Sequence, residues 1–291
     1  MTMKPALDFK IHQLLEEKLL ELESHFNADI LTYYGAFDGG ENVLLRIIEE
    51  LTADENKKDK IYIILTTGGG SATVVERLVN ILRHHYQEVN FIVPDFAYSA
   101  GTIFCMSGDN ILMDYFSVLG PIDPQVRNKE NKMVPALGYL DKINELIEKA
   151  QNNELSNAEF IILKDFDLAE LRSYQQAKDL TIDLLEKWLV KYKFKNWSEH
   201  RTNPDKLGQP VTEEEKIQRA KEIGDALSDN KIWKFHGRPI NIEALKALRL
   251  EIDDYSNLPE RRKLIRDYYE LVSDYVTSKN YGIFVQTRKF I

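Results

Sequence analysis

The first 126 residues alternate between short apolar runs and segments with apolar residues at helical spacing. The runs at 61–65 (IYIIL) and 89–93 (VNFIV) contain almost no polar positions, which is typical of parallel strands covered on both faces. Between them, residues 71–86 carry an apolar stripe that repeats every three to four positions, as in an amphipathic helix. The order strand, glycine-rich turn, helix and strand therefore predicts an α/β fold with a mainly parallel sheet at the centre of residues 28–126.

The pattern changes after about residue 140. Apolar residues then recur at helical spacing, most clearly over 165–194 and 260–278. No Pro-, Gly- or Ser-rich linker separates the two parts of the chain. We therefore predict an α/β core over residues 1–140, followed by a mostly helical region over 141–291. The helical region is expected to pack against the core, to complete the fold and to supply contacts between subunits.

The composition narrows the class of protein. Acidic residues outnumber basic residues by 47 to 38, and the formal net charge of −9 counts against a nucleic-acid partner or an anionic membrane surface. Cys105 is the only cysteine, so an intrachain disulfide and a Cys-rich zinc site are excluded, and we predict no metal. No apolar run is long enough for a signal peptide or a membrane span. We predict a cytoplasmic protein without a membrane-spanning segment.

Three consecutive glycines, Gly68, Gly69 and Gly70, follow the apolar run at 61–65. Glycines at the end of a buried strand leave backbone N–H groups open to close approach by a ligand, as in an oxyanion hole or a phosphate cradle. A Walker loop ends in Gly-Lys-Ser/Thr, but here Ser71 follows Gly70 directly, and the spacing of a dinucleotide fingerprint is also absent. We predict no cofactor, and an oxyanion hole and a plain tight turn both remain open.

Ser99 lies in a turn of small residues after the apolar run at 89–93. A serine on a sharp turn between a strand and a helix exposes its hydroxyl, and the N–H of the next residue, Ala100, can face a developing oxyanion. The plainer alternative is a serine that caps the helix. The 29 residues from Gly70 to Ser99 fit one helix, one loop and one strand, which would bring both turns to the same edge of a parallel sheet.

Four segments together carry a resemblance to a known group of proteins. They are TTGGG (66–70), PDFAYSAGT (94–102), GPIDPQV (120–126) and FHGRPI (235–240). With these segments the chain resembles the Clp-peptidase/crotonase superfamily. Within that superfamily it is similar to the serine dehydrogenase proteinase family, a relative of the signal peptide peptidases of the Ser-Lys kind. The resemblance extends in order over nearly the whole chain.

The resemblance implies a serine peptidase that acts on peptide or protein substrates. By position, Ser99 would be the nucleophile. The backbone N–H groups of Gly70 and Ala100 would form the oxyanion hole, and Gly69 would shape the turn. Relatives form closed homo-oligomers around a shared chamber, so the resemblance also implies a homo-oligomer, and it leaves open an unfoldase or other protein partner.

The general base is undecided at this point. Clp-type peptidases carry a histidine about one strand after the serine, but residues 120–125 contain none. Ser-Lys relatives use a lysine that burial deprotonates, and Lys142, 43 residues after Ser99, is the candidate; its alternative is a solvated helix charge. Asp123, beside two prolines, and His236, before a glycine, are further candidates for a base or an orienting group. Each of these two can instead be structural.

Two other functions fit the same scaffold. A crotonase-type enzyme would use paired backbone N–H groups to hold an acyl-CoA enolate, without a serine nucleophile. The acidic composition and the lack of a basic cluster near the glycine turn count against a site for the CoA pyrophosphate. A non-catalytic homologue would keep the fold as a scaffold and give Ser99 no role.

Overall fold

The computed structural model describes residues 6–127, 132–200 and 204–291. The strands, in chain order, are β1 (Asp29–Gly35), β2 (Lys60–Thr66), β3 (Glu88–Val93), β4 (Phe96–Ala97), β5 (Asn110–Met113), β6 (Val118–Leu119), β7 (Gln125–Arg127), β8 (Met133–Pro135), β9 (Asp253–Asp254) and β10 (Ile283–Gln286). The helices are α1 (Ala6–Phe26), α2 (Glu41–Thr52), α3 (Ala72–His85), α4 (Ala100–Met106), α5 (Ala136–Gln151), α6 (Asn157–Lys164), α7 (Leu168–Trp188), α8 (Glu213–Ser228), α9 (Asn230–Trp233), α10 (Ile242–Ala247) and α11 (Pro259–Lys279). A π-helical turn covers Leu189–Lys193, and a 3₁₀ turn covers Pro204–Lys206.

Within these described ranges, six strands form the central sheet in the order β10-β1-β2-β3-β5-β9. All neighbouring strands from β1 to β9 are parallel, and β10 is antiparallel to β1 at one edge. The parallel strands β1, β2, β3 and β5 fall inside residues 28–126. The predicted α/β fold with a mainly parallel sheet is therefore confirmed.

The alternation of side chains along the strands produces two hydrophobic layers. On one face, Ile30, Ile64, Ile92 and Leu112 pack against α1 and α11. The positions between them belong to the other face, which packs against α2, α3, α4, α7 and α8. Because strand side chains point alternately to opposite faces, a strand without polar positions serves both layers. The apolar runs of the sequence thus become the middle layer of an α/β/α sandwich.

A second, shorter row of paired backbone crosses the carboxyl end of β2. Thr67 pairs with Ala97 of β4, which pairs with Leu119 of β6, and both of these contacts are parallel. Leu119 in turn pairs antiparallel with Ile240. The three parallel segments leave this row after Thr67, Ala97 and Leu119. Because the fourth segment is antiparallel, the residues that precede Ile240 lie at that same end. We call this end the site edge.

The C-terminal half is mostly helical but also contributes strands. β9 and β10 complete the two edges of the central sheet. The proposed boundary at residue 140 falls inside α5. The segment predicted as helical over 165–194 contains α7 and the π-helical turn. Helix α7 begins after Asp167, whose carboxylate accepts a hydrogen bond from the Ala169 N–H at 2.7 Å.

In the part of the chain that the structure describes, no helix has both the length and the apolar character that crossing a bilayer requires.

Candidate active site

Ser99 sits on a strained turn between β4 and α4. Its backbone has φ 53° and ψ −116°, a region that residues other than glycine rarely adopt. Although Ser99 occupies the cap position of α4, its side chain makes no capping hydrogen bond. The plain alternative, a serine that caps the helix through its hydroxyl, is therefore not what the structure shows. The strain presents a half-buried hydroxyl that the local backbone does not use.

Close packing of small residues holds this turn in place. A Cβ added at Gly101 would lie 2.4 Å from the Thr67 side chain, so α4 approaches β2 as closely as the absence of a side chain allows. The Thr102 hydroxyl lies 2.9 Å from the Ala97 carbonyl and 2.8 Å from the Gly120 carbonyl, within hydrogen-bond distance of both. These contacts tie the start of α4 to β4 and to the segment after β6, and they support the conformation of Ser99.

The glycine turn lies against the serine turn. Gly69 has φ 106° and Gly70 has φ 139°. A Cβ added at Gly69 would lie 2.9 Å from Cβ of Ser99, so this position must stay without a side chain. Phe37 donates from its N–H to the Gly69 carbonyl and accepts from the Ser71 N–H, each at 2.9 Å. This pairing does not include the N–H of Gly70, which has no acceptor in the Phe37 segment.

Two backbone donors thus remain available beside Ser99. Among the described residues, none accepts a hydrogen bond from the N–H of Gly70 or of Ala100. Gly70 is exposed, whereas Ala100 is buried at the first position of α4. An oxyanion hole consists of such unused N–H groups near a nucleophilic hydroxyl.

The glycine turn provides a test of this local geometry. Gly70→Val is expected to destabilise the protein by at least about 2 kcal/mol, because valine is strained at positive φ and its Cβ would overlap the Phe37 backbone. That overlap would bring the Cβ to 2.7 Å from the Phe37 nitrogen and oxygen. Gly68→Ala is the matched control, since no heavy atom lies within 4 Å of its added Cβ. Urea unfolding of both variants is the measurement. An equal loss of stability in both variants would contradict the close approach of Gly70 to the Phe37 backbone.

Asp123 and His236 form a pair across 113 positions of sequence. His236 Nδ1 lies 2.8 Å from Asp123 Oδ1, and the Asp123 carboxylate is buried. The second carboxylate oxygen accepts a hydrogen bond of 3.2 Å from the Gln125 side-chain amide. With Nδ1–H donating to the carboxylate, Nε2 of the neutral ring carries the lone pair of a base. The pair has the arrangement of a base held by an orienting acid.

The pairing of Leu119 with Ile240 explains how these residues meet. The N–H of each donates to the carbonyl of the other, at 3.0 and 2.9 Å. Because the two segments run antiparallel, positions four residues after Leu119 and four residues before Ile240 come opposite each other. These positions are Asp123 and His236, and both leave the row at the site edge. Ala97 lies two strand spacings, about 10 Å, from Ile240 in this row.

In this conformation the Ser99 hydroxyl makes no hydrogen bond to His236 or to any other described side chain. The structure therefore brings the serine turn, the two N–H donors and the Asp123–His236 pair to one edge of the fold, without a contact between Ser99 and His236.

Lys142 occupies a different environment. Its side chain is 50% exposed on α5, and Nζ lies 2.9 Å from a carboxylate oxygen of Glu145, one turn along the same helix. A lysine acts as a base when burial removes water from its amino group. Lys142 is exposed to solvent and paired with a carboxylate, so its amino group lacks the desolvation that a lysine base requires.

Cys105 is buried in α4, six residues after Ser99. Burial raises the pKa of its thiol well above the usual range, which keeps the sulfur protonated. Cys105 therefore packs as a small apolar side chain in the hydrophobic core between the sheet and its helices. Within the described residues, no group of three His, Cys, Asp or Glu side chains is placed to hold a metal ion.

Two supporting residues were not predicted from the sequence. Gln125 fixes the second oxygen of Asp123, and Thr102 bridges two backbone carbonyls beneath the serine turn. Gln125 lies two residues after Asp123, in the segment 120–126. The resemblance carried by that segment was the signal that could have identified it. Thr102 is the last residue of the segment 94–102, but its contact with Gly120 joins positions 18 residues apart and leaves no local pattern.

Comparison with protein families identifies one matching family. The model of ClpP-like SDH-type serine proteinases matches residues 34–207, more than half of the chain. The match includes the glycine turn, the serine turn and Asp123, whereas His236 lies beyond it.

Two relatives from Methanocaldococcus jannaschii are uncharacterised proteins. One is 26% identical over 281 residues, which cover 92% of this chain and 83% of the relative. The other is 27% identical over 215 residues, which cover 74% of this chain and 56% of the relative. The first relative thus matches this chain along most of the length of both.

Among solved structures, the 1510-N membrane-bound stomatin-specific protease is similar in part. A serine-to-alanine mutant of it has a TM-score of 0.32 and 19% identity, with 41% of this chain and 60% of that chain covered. A lysine-to-alanine mutant in complex with a substrate peptide has a TM-score of 0.27 and 23% identity, with coverage of 38% and 51%. This chain thus spans less than two thirds of either solved chain.

Proposed function

We propose, from the premise that this chain belongs to the ClpP-like SDH-type serine proteinase family, that it hydrolyses peptide bonds through an acyl-enzyme on Ser99. The observation that carries the proposal is the strained serine turn, which presents an unused hydroxyl directly against Gly69. A turn of this kind costs of order 1–3 kcal/mol, a cost that a purely structural serine does not need. The family supports a serine peptidase, and the turn supports Ser99 as its nucleophile.

The proposed reaction begins with attack of Ser99 Oγ on the carbonyl carbon of a peptide bond. A base takes the hydroxyl proton as the C–O bond forms, because serine is a weak nucleophile at its free pKa. The carbonyl oxygen becomes an oxyanion that the N–H groups of Gly70 and Ala100 would bind. The base then returns the proton to the leaving amine, the C–N bond breaks, and water hydrolyses the remaining ester.

We assign the base to His236, with Asp123 as the residue that orients it. A histidine with a buried carboxylate on Nδ1 can accept a proton at Nε2, and the carboxylate stabilises the imidazolium that forms. Lys142, the lysine candidate, is solvated and paired with Glu145. The open contact between Ser99 and His236 is compatible with this role, since catalytic hydrogen bonds are often long before substrate binds.

The alternative functions leave more of the site unexplained. A crotonase-type enzyme uses the paired N–H donors but gives no role to the strain at Ser99. A scaffold gives no role to either feature, nor to the His236–Asp123 pair. The homo-oligomer, a protein partner and the cytoplasmic location stay predictions.

A fluorophosphonate probe tests the proposal directly. The native protein is expected to form a covalent adduct at Ser99, because the probe requires an activated serine beside an oxyanion hole. Mass spectrometry of proteolytic fragments locates the adduct, and the heat-denatured protein is the control. Labelling that survives denaturation, or that falls on another serine, would reject Ser99 as the nucleophile.

A further inference from the structure

The segment that carries His236 is basic. Lys231, Lys234 and Arg238 lie within eight residues, and all three are exposed. None of them forms an ion pair with another residue in the described part of the chain. Most of the arginines and lysines on α11 are instead paired with carboxylates. This segment thus places three unpaired cations beside the proposed base, on a protein with a formal net charge of −9.

The backbone holds this basic segment in a defined place. Asp229 accepts a hydrogen bond from the Lys231 N–H at 2.7 Å, so its carboxylate caps α9. The indole of Trp233 donates to the Ala226 carbonyl at 2.7 Å, and Ile240 is paired with Leu119. The segment is thus anchored at both ends. Its cations are fixed beside the site edge while their side chains reach into water.

Two acidic groups near this segment already have partners. Asp123 is paired with His236 and accepts from Gln125. The Asp141 carboxylate, on α5, accepts a hydrogen bond from the Asn230 side chain. Asp38 is an exposed acid one residue beyond Phe37, which pairs with the glycine turn at the opposite end of the row from Ile240. The cations of the basic segment and this carboxylate therefore lie on opposite sides of the serine turn.

We propose that Lys231, Lys234 and Arg238 select substrates with acidic residues on the C-terminal side of the cleaved bond. This inference rests on the proposed peptidase function. The base that serves Ser99 also protonates the leaving amine, so the segment that carries it lies beside the part of the substrate that follows the bond. Unpaired cations there attract acidic residues that the net negative charge of the protein would otherwise repel.

The test measures binding separately from turnover. Three fluorescein-labelled peptides share a central sequence and carry three Glu, three Gln or three Lys after it; a fourth carries the three Glu before it. Fluorescence anisotropy with the Ser99→Ala variant should show the C-terminal Glu peptide bound about tenfold more tightly than the Gln peptide, at about twofold for each exposed charge pair. The preference should shrink at about 0.5 M salt, where charges are screened within a few ångströms.

Charge variants show whether the basic segment causes the preference. The triple variant Lys231→Gln, Lys234→Gln and Arg238→Gln, made in the Ser99→Ala background, should lose it. A control with the same change in net charge neutralises three exposed lysines elsewhere in the chain, Lys10→Gln, Lys58→Gln and Lys187→Gln, and should keep the preference. Equal affinity for the Glu and Gln peptides, equal affinity for Glu on either side, or equal loss in both triple variants would overturn the inference.

The outcomes distinguish a failure of the charge preference from a failure of the proposed peptidase function. Cleavage of all the peptides with the same kcat/KM, together with fluorophosphonate labelling of Ser99, would overturn the charge preference and leave the peptidase standing. Salt-sensitive binding of the acidic peptide without labelling or cleavage would support the basic surface and overturn the peptidase.

Discussion

Ser99→Ala is expected to lower kcat for peptide hydrolysis by about 10⁵-fold or more, to the level left by the oxyanion donors and substrate binding alone. The change removes one oxygen atom, and that oxygen makes no hydrogen bond to a described residue. The fold therefore loses no hydrogen bond when activity disappears. The measurement is the steady-state rate with a fluorogenic peptide, together with the urea midpoint of the same preparation.

Ser99→Gly tests whether the backbone strain at Ser99 is kept for catalysis. Glycine adopts φ 53° without the steric cost that serine or alanine pays, so Ser99→Gly should be as inactive as Ser99→Ala but more stable by about 1 kcal/mol. An inactive and stabilised variant would identify the strain as a feature kept for catalysis. Activity near the parent level in either variant would rule out Ser99 and favour the crotonase-type or scaffold function.

His236→Ala is expected to reduce kcat on the order of 10⁴-fold or more, because it removes the proposed general base. Asp123→Asn should have an effect of similar size, since an amide on Nδ1 favours the wrong tautomer of the ring. Lys142→Ala should change kcat less than about twofold, because Lys142 forms only an exposed pair with Glu145.

These three variants are compared by kcat and by fluorophosphonate labelling rate. His236→Ala combined with Asp123→Asn should be no worse than His236→Ala alone, because the two residues act as one unit. Gln218→Ala is a surface control, as its amide contacts only Glu222 among the described residues. A large loss in Lys142→Ala with normal stability would return the assignment to a Ser-Lys mechanism, in which α5 moves toward Ser99.

The local signals of the sequence predicted the parallel sheet and the two turns. A strand buried on both faces must be apolar at nearly every position, so β2 and β3 are visible as uninterrupted apolar runs. The spacing from Gly70 to Ser99 equals one helix and one strand, and parallel strands place both ends at one edge. By contrast, β9 has two residues and an acidic sequence, and only its pairing with β5 makes it a strand.

What the sequence determined by itself is the part of the site that one α/β unit builds: the glycine turn, the serine turn and their closeness. The proposal of His236 rather than Lys142 as the base rests on tertiary structure. Lys142 and His236 are both polar residues in helical or loop-like stretches, and no local pattern separates them. The antiparallel pairing of Leu119 with Ile240 brings His236 to Asp123, while α5 turns Lys142 toward Glu145 and water. Hydrogen bonds between segments more than a hundred residues apart leave no periodicity in either segment, so only the folded chain decides them.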